Sequence, residues 1–261
     1  MKPPQANKFI AEAEARRIWS LYGFSSPKDL VLEDLAYAMG VIVMEGALDG
    51  AVARLVRRGN KGLIRVKQNV QELGRKRFGI AHELGHWELH KASTQVHACT
   101  DDDLHAAYKG SPQEIEANSF AAGLLMPEDL FGARIAGTQP SLDLIQKLAD
   151  EFQTSLTATA VRYVELREDY CAVVISEKGK VRWWRASKDF EDHFWLDSGK
   201  PLSPKTLASA VFAGETPPRK PQRVDFNAWV TGETELQQDD IVEQVSPINR
   251  YDQVISFLWL P

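Results

Sequence analysis

The sequence is poor in cysteine and has no long apolar run. Only two of its 261 residues are cysteines, Cys99 and Cys171, which excludes a disulfide framework and favours a reducing compartment. No stretch of about 18 apolar residues exists that could span a membrane. The first residues, MKPPQANKFIAEAEARRIW, lack the apolar centre of a secretory signal. We therefore expect a cytoplasmic protein with no membrane partner.

Positive charge is not in excess either. The net charge is −5, with 44% hydrophobic and 26% charged residues, which is typical of a soluble globular protein. This acidic balance argues against broad nucleic-acid binding but leaves room for a local basic patch. Candidate patches are Arg75-Lys76-Arg77 and residues 57–61, for which solvated surface is the simpler interpretation.

The hydrophobic pattern predicts an α+β fold in three parts. Helical spacing covers residues 6–23, 25–40, 70–90 and 112–126, and three short strands between 41 and 67 predict a small antiparallel sheet. More helices fill 128–168, and strands with one helix follow from about residue 169. We predict a metal-binding enzyme domain over 1–138, a helical segment over 139–168, and a C-terminal α+β domain over 169–261.

The stretch RFGIAHELGHWELH, residues 77–90, contains the pattern His82-Glu83-x-x-His86. On a helix, residues four apart share one face, so both imidazoles can reach one zinc ion. Glu83 is rotated by about 100° from His82 and can act on a metal-bound water instead of ligating. Three polar residues on a surface helix are the alternative interpretation.

A catalytic zinc needs a third protein ligand and an open position. The candidates are His90, His97, Cys99, Asp101–Asp103, His105, Glu114 and Glu116. The helix PQEIEANSFAAGLLMP, residues 112–127, favours Glu114, because the face around it carries alanines that allow close approach to the histidine helix. Asn118, one turn later, can hydrogen-bond a ring nitrogen of a ligating histidine. Glu116 points about 200° away from Glu114.

Simpler roles exist for several of these residues. Ser111-x-x-Glu114 is a capping box, which would use the same carboxylate. Cys99 with Asp101–Asp103 could hold a second metal, but a solvated acidic loop is the simpler interpretation. His90, His105 and Tyr108 are candidates by residue type for a substrate or oxyanion contact, and for His90 a second role behind the metal ligands stays open.

The segment RKRFGIAHELGHWELH followed by EIEANSFAAGLLMP resembles the ImmA/IrrE family of bacterial zinc metallopeptidases. The preceding DGAVARLVRRGNKGLIRVKQN also fits, and residues 140–168 resemble the family's helix-turn-helix-like portion, so the resemblance covers about residues 8–168. It implies a zincin-like domain that holds zinc, or manganese in vitro. By position, His82, His86 and Glu114 match the family's ligands and Glu83 its catalytic glutamate.

The resemblance also implies a function. The family cleaves a specific protein, often a DNA-binding helix-turn-helix repressor, and so switches on stress or mobile-element genes. One member carries a GAF-like sensor domain at its C-terminus, which by analogy gives residues 169–261 a sensory role. The alternatives are a DNA-binding or sensor regulator that keeps a zinc site without proteolysis, and a toxin-like partner of an adjacent regulator. The intact Glu83 favours the enzyme, because a purely structural zinc has no use for it.

Overall fold

The chain folds into two compact units. The computed structural model describes residues 6–91, 97–99, 111–232, 236, 238–248 and 252–261. The first unit comprises Met1–Arg134 with Ala149–Ser155, and the second comprises Ile135–Leu148 with Leu156–Pro261. The predicted domain boundaries at 138 and 168 stay predictions. Within the described residues, no helix is both long and apolar enough to cross a membrane.

The first unit combines helices with a small sheet. Its helices are α1 (Lys8–Tyr22), a 3-10 helix (Pro27–Asp29), α2 (Leu32–Ala38), α3 (Leu73–Leu89), α4 (Pro112–Leu125) and α5 (Glu128–Ile135), the last of which ends one residue into the second unit. Helices α1 and α3 both pack against α4. Trp19 on α1 donates its indole N–H to the carbonyl of Leu124 on α4 at 2.8 Å. The buried residues of these three helices form the core from which the site is built.

The sheet of the first unit is mixed, which corrects the predicted antiparallel sheet. Its strands β1 (Val41–Gly46), β2 (Ala53–Arg58), β3 (Lys61–Lys67) and β4 (His97–Cys99) lie in the order β1-β3-β2-β4, and β1 pairs with β3 in parallel. A tight turn at Asp49-Gly50 would have placed β2 beside β1. The connection over residues 47–52 instead carries β2 past β3, so the hairpin of β2 and β3 inserts between β1 and β4.

The predicted helix over residues 25–40 is also corrected. Oδ2 of Asp29 accepts hydrogen bonds from the backbone N–H groups of Ser25 and Ser26, at 2.9 and 2.8 Å, and so closes a 3-10 turn. Leu30 and Val31 then leave helical geometry, with ψ angles of 88° and 107°. The helix therefore restarts as α2.

Glycines allow α3 to lie close to its neighbours. A Cβ on Gly85 would lie 3.1 Å from Cα of Ala117 and 3.1 Å from the Phe120 ring on α4, and a Cβ on Gly79 would lie 3.0 Å from Val52. These separations are shorter than ordinary van der Waals contact, so only glycine fits without displacement. The structure thus confirms the close approach predicted from the glycines of α3 and the alanines of α4.

The second unit contains a five-stranded antiparallel sheet. Its strands are β5 (Cys171–Glu177), β6 (Lys180–Ala186), β7 (Gln222–Asp225), β8 (Asp240–Ile248) and β9 (Gln253–Trp259), in the order β6-β5-β9-β8-β7. Two short helices, α8 (Lys188–His193) and α9 (Leu207–Phe212), follow β6. Strand β7 ends at Asp225, because that side chain caps a 3-10 helix by accepting from the Asn227 N–H at 2.9 Å.

Two consecutive helices correspond to the predicted helix-turn-helix-like segment. They are α6 (Leu142–Phe152) and α7 (Leu156–Glu165). Helix α7 packs against β5 and β6, and its Tyr163 ring meets the ring of Phe257 on β9 edge-on, with centroids 5.4 Å apart. All six residues 159–164 are buried. Helix α7 therefore serves as a packing element of the C-terminal sheet.

Candidate metal centre

The two histidines of the HExxH pattern lie side by side on α3. Their Nε2 atoms are 3.0 Å apart, and the side chains are 0% and 1% exposed for His82 and His86. The i to i+4 spacing on a regular helix produces this geometry. Both imidazoles therefore lie in the interior of the unit, on one face of α3, and not on a solvent-exposed surface.

Helix α4 contributes a carboxylate to the same point. Oε2 of Glu114 lies 3.1 Å from Nε2 of His82, and Oε1 lies 3.3 Å from Nε2 of His86. The hydroxyl of Ser111 still caps α4 by accepting from the Glu114 backbone N–H at 3.4 Å. The capping role and the site role therefore coexist, because the backbone of Glu114 serves the cap and its carboxylate faces the histidines.

The tautomer of His82 is set by Asn118. Nδ1 of His82 lies 2.8 Å from Oδ1 of Asn118, one turn after Glu114 on α4. An amide oxygen only accepts, so Nδ1 carries the proton and Nε2 of the neutral ring presents a lone pair. This contact is the one that the spacing of Glu114 and Asn118 predicted.

His86 is held from the other side by His90 and Glu116. Nδ1 of His86 lies 2.9 Å from Nδ1 of His90, and Nε2 of His90 lies 2.9 Å from Oε2 of Glu116. The structure thus places His90 on the Nδ1 side of His86, where it contacts and supports a candidate metal ligand. Glu116 was set aside on the helical projection because it points away from Glu114. The signal that could have found it is His90, one turn beyond His86, which needs a partner of its own.

The donor set fits a metal ion. Two imidazole nitrogens and a carboxylate oxygen, all within 4.8 Å of one another, converge from His82, His86 and Glu114. Their separations of 3.0 to 3.3 Å are close to the ~3.3 Å between ligands that bind a tetrahedral zinc ion at about 2.0–2.1 Å. Three lone-pair acceptors at this distance repel one another unless a cation or protons lie between them. The group therefore has the chemistry of a His-His-Glu metal site.

The electrostatics of Glu114 agree with this arrangement. Burial alone would raise the pKa of its carboxyl group. Contacts with His82 and His86 outweigh burial and hold the pKa well below its ordinary value. Glu114 is therefore a carboxylate at neutral pH, as a ligand must be.

Glu83 lies beside this group, fully buried. Its Oε2 accepts a hydrogen bond from the backbone N–H of Leu55 on β2 at 3.0 Å, whereas its Oε1 has no hydrogen-bond partner among the described residues. Burial, with a smaller contribution from the Glu114 charge, raises the pKa of Glu83 to about 7, although His82, the Leu55 N–H and Arg54 act in the opposite direction. A carboxyl group with this pKa can take up and release a proton near neutral pH.

Comparison with known proteins agrees with the geometry. Residues 38–163, which contain β1 to β3, α3, α4 and the whole His-His-Glu group, match the family model of the IrrE N-terminal-like domain, a peptidase family. This part of the chain is a domain of the ImmA/IrrE family. A sequence search of curated proteins gives no significant match.

Among solved structures, this ImmA/IrrE protein is similar to a transcriptional regulator from Mycobacterium tuberculosis. The TM-score is 0.58 and the sequence identity is 14%, over 95% of this chain and 76% of that chain. At this identity the likeness establishes a shared fold and nothing further.

Other predicted residues are distributed as follows. His105, Tyr108 and Asp101–Asp103 lie outside the described residues. His97 and Cys99 belong to β4, whose backbone pairs with Ala53–Leu55 of β2. No role in the site follows for any of them from the described part of this ImmA/IrrE protein.

Two basic clusters turn out to be partly structural. Arg77 is 9% exposed and donates to the carbonyl of Leu30 at 3.3 Å, and Lys76 pairs with Glu45 at 2.6 Å. Arg57 lies 3.9 Å from the centroid of the Trp87 ring and donates to the carbonyl of the same residue. These side chains stabilise α3 within the domain, so they do not form a free basic patch.

Proposed function

We propose that this protein is a zinc-dependent endopeptidase that cleaves one or a few proteins, foremost a helix-turn-helix repressor, in a stress or mobile-element response. The observation that carries the proposal is Glu83, a buried carboxyl group beside three converging candidate ligands, with one oxygen that has no hydrogen-bond partner among the described residues. A purely structural zinc fills its four positions with protein ligands and does not need such a group. A cytoplasmic location is part of the proposal and rests on the low cysteine content.

The proposed site contains three metal ligands and one general base. Three residues would hold the metal: His82, His86 and Glu114. The lone pairs of the two histidines are fixed in direction by Asn118 and His90. Zinc, when bound in such a site, lowers the pKa of a bound water and polarises the scissile carbonyl. We propose zinc because the donor set of two imidazoles and one carboxylate is that of hydrolytic zinc sites, and manganese as a substitute in vitro.

Glu83 is the proposed general base. The Leu55 N–H fixes Oε2, so the carboxyl plane is set and Oε1 is the oxygen that accepts the proton of the attacking water. The same oxygen then returns the proton to the leaving amine nitrogen. A pKa near 7 suits both halves of this transfer.

We propose that the substrate binds as an extended strand at the β4 side of the sheet. Leu55 lies on β2, where it pairs with His97 of β4 and also contacts Glu83. A peptide that adds to this side would therefore run along β4, which separates it from Leu55 by one strand. Main-chain hydrogen bonds supply affinity in such strand addition, and side-chain pockets supply specificity.

The alternative, a DNA-binding regulator without proteolysis, finds little support in the described residues. Helix α7 is buried over residues 159–164, which leaves only its two ends, residues 156–158 and 165, to reach a DNA groove. Arg77 is buried and Lys76 is paired, which removes two of the three charges from the strongest basic cluster.

The decisive experiment uses the repressor-like protein encoded beside this one. The full chain, loaded with zinc or manganese, is incubated with that protein, and the products are separated by mass. Wild type should give discrete fragments. Glu83→Gln should bind the same amount of metal and give none, while Glu88→Gln on the same helix should cleave as wild type does. Cleavage by Glu83→Gln at the wild-type rate would refute the assignment. A shift of operator DNA without any fragment would support the regulator.

A further inference from the structure

The side of His86 opposite the metal site carries an ordered chain of hydrogen bonds. It runs from Nδ1 of His86 to Nδ1 of His90 at 2.9 Å, and from Nε2 of His90 to Oε2 of Glu116 at 2.9 Å. The other carboxylate oxygen of Glu116 accepts from the backbone N–H of Asn7 at 2.8 Å. The chain therefore links a candidate metal ligand on α3 to α4 and to the residue that caps α1.

We propose that His90 and Glu116 form a positioning relay that fixes His86 in the tautomer whose Nε2 lone pair faces the metal. The inference rests on the metal site proposed above and assigns a role to two residues outside the ligand set. His90 is a positioning residue, because it acts on the site through His86.

The proton assignment follows from the end of the chain. A carboxylate only accepts, so Nε2 of His90 carries a proton toward Glu116. Nδ1 of the neutral His90 ring is then an acceptor, and Nδ1 of His86 must donate to it. Nε2 of His86 is left unprotonated, as a metal ligand must be.

The two candidate histidine ligands are thus supported differently. His82 donates directly to a neutral amide, Asn118, which lies on the helix that also carries Glu114. His86 donates to a second imidazole, whose own orientation depends on an ionised group. Support by a carboxylate through a ring raises the basicity of the ligand more than support by an amide does. We therefore expect the relay to strengthen the His86 ligand in particular.

The position of His90 is itself held in place. Its backbone N–H donates to the carbonyl of His86 at 3.1 Å, as the last hydrogen bond of α3. Arg57 donates to the carbonyl of Trp87 in the same final turn. The side chain of His90 is 7% exposed, so little water competes for its two nitrogens. The relay therefore has the burial and the anchoring that a tautomer-selecting contact needs.

The first test measures zinc affinity by competition with a chromophoric chelator on the full chain. His90→Leu should weaken zinc binding by 10- to 100-fold, the range found when a supporting partner of a ligand is removed. His90→Gln should stay within a few-fold of wild type, because its amide oxygen can accept from His86 and its NH₂ group can donate to Glu116. His193→Leu is the matched control, since His193 is an exposed helical histidine in the second unit, where its Nδ1 lies 2.8 Å from the carbonyl oxygen of Asp189. Wild-type affinity in a folded His90→Leu protein would overturn the inference.

The second test uses the wild-type protein loaded with zinc and needs no variant. Long-range proton–nitrogen spectra report which ring nitrogen of each histidine is protonated. We expect His86 to be protonated at Nδ1 and His90 at Nε2 alone. A proton on Nδ1 of His90 would overturn the relay. Failure of the wild type to bind zinc at all would instead refute the proposed function.

Discussion

The backbone N–H of Leu55 donates a 3.0 Å hydrogen bond to Oε2 of Glu83. A strand of the sheet thereby orients a carboxyl group that belongs to the helix carrying the histidines. The contact needs no particular side chain at position 55, because it uses a group that every residue except proline has. Glu83 is fully buried, and its other carboxyl oxygen has no hydrogen-bond partner in the part of the chain that the structure describes.

The burial of Glu83 predicts how the metal-free protein responds to pH. Because burial raises the folded-state pKa from 4.5 to about 7, the folded state holds the proton more tightly than the unfolded state does. The contribution of the Glu83 proton to the free energy of unfolding is therefore fully present below pH 4.5. This contribution, about 3 kcal/mol, is lost as the pH rises to the folded-state pKa of about 7. Glu83→Gln removes the titration. With a chelator present, the variant should exceed wild type in urea stability at pH 8 by more than at pH 5. A difference that does not grow with pH would contradict this account.

Gly85 controls the separation of α3 and α4. Its replacement by alanine would place a Cβ 3.1 Å from the backbone of Ala117, so α4 must shift together with Glu114. We expect a loss of about 1–3 kcal/mol in unfolding free energy, and weaker zinc binding as the carboxylate moves away. Gly132→Ala on α5 is the control, because nothing lies within 4 Å of its Cβ. That variant should be as stable as wild type or more stable by up to about 1 kcal/mol. Equal behaviour of the two variants would show that the contact is not tight.

Arg57 stabilises the end of the histidine helix. Its guanidinium group stacks on the Trp87 ring at 3.9 Å and donates to a carbonyl of the last turn. Arg57→Ala should lower the free energy of unfolding by roughly 1–2 kcal/mol. Arg57→Lys should recover only part of this loss, since an ammonium group lacks the planar donor geometry. The neighbouring Arg58→Ala, which alters an exposed side chain, should have little effect in the same urea titration. A full recovery by lysine would argue against the stacking.

Glu243 ties the C-terminal unit together. Its buried carboxylate accepts from the backbone N–H groups of Leu207 and Ala208, and from the side chains of Trp229 and Ser256. Glu243→Gln turns an NH₂ donor toward these donors and should destabilise the unit by about 1–3 kcal/mol. Faster hydrogen exchange of the two helix amides is the direct measurement. Glu215→Gln, at an exposed position, serves as the control. Unchanged exchange in Glu243→Gln would mean that the carboxylate is not the anchor of α9.

Much of the candidate site could be predicted from the sequence, because its residues lie on helices. Helical periodicity relates His82 to His86 and Glu114 to Asn118 without knowledge of the rest of the fold. The alanines of α4 and the glycines of α3 indicated that the two helices approach each other closely. Glu114 was then chosen because it shares one face of α4 with Asn118 and the alanines. The structure brings Glu114 and Asn118 together with the two histidines.

The features that could not be predicted depend on contacts between residues that are far apart in the sequence. Strand periodicity shows that β1 to β3 exist but not which strand pairs with which, and the path of residues 47–52 decided that. Strand β8 was not predicted, because its buried Glu243 and its Pro247 interrupt the expected alternation. Glu116 was set aside because rotation was measured from Glu114 alone, whereas its partner His90 projects from the end of a different helix.

The hydrogen bond from Asn7 to Glu116 comes from the main chain. Any residue except proline can supply that proton, so this hydrogen bond places no demand on the side chain at position 7, which separately caps α1. A preference for capping residues at this position would therefore say nothing about the contact with Glu116, and only substitution by proline, or an altered path of the chain before α1, would test it. The path of the backbone at residue 7, and not the side chain there, thus contributes to the orientation of His86 through Glu116 and His90.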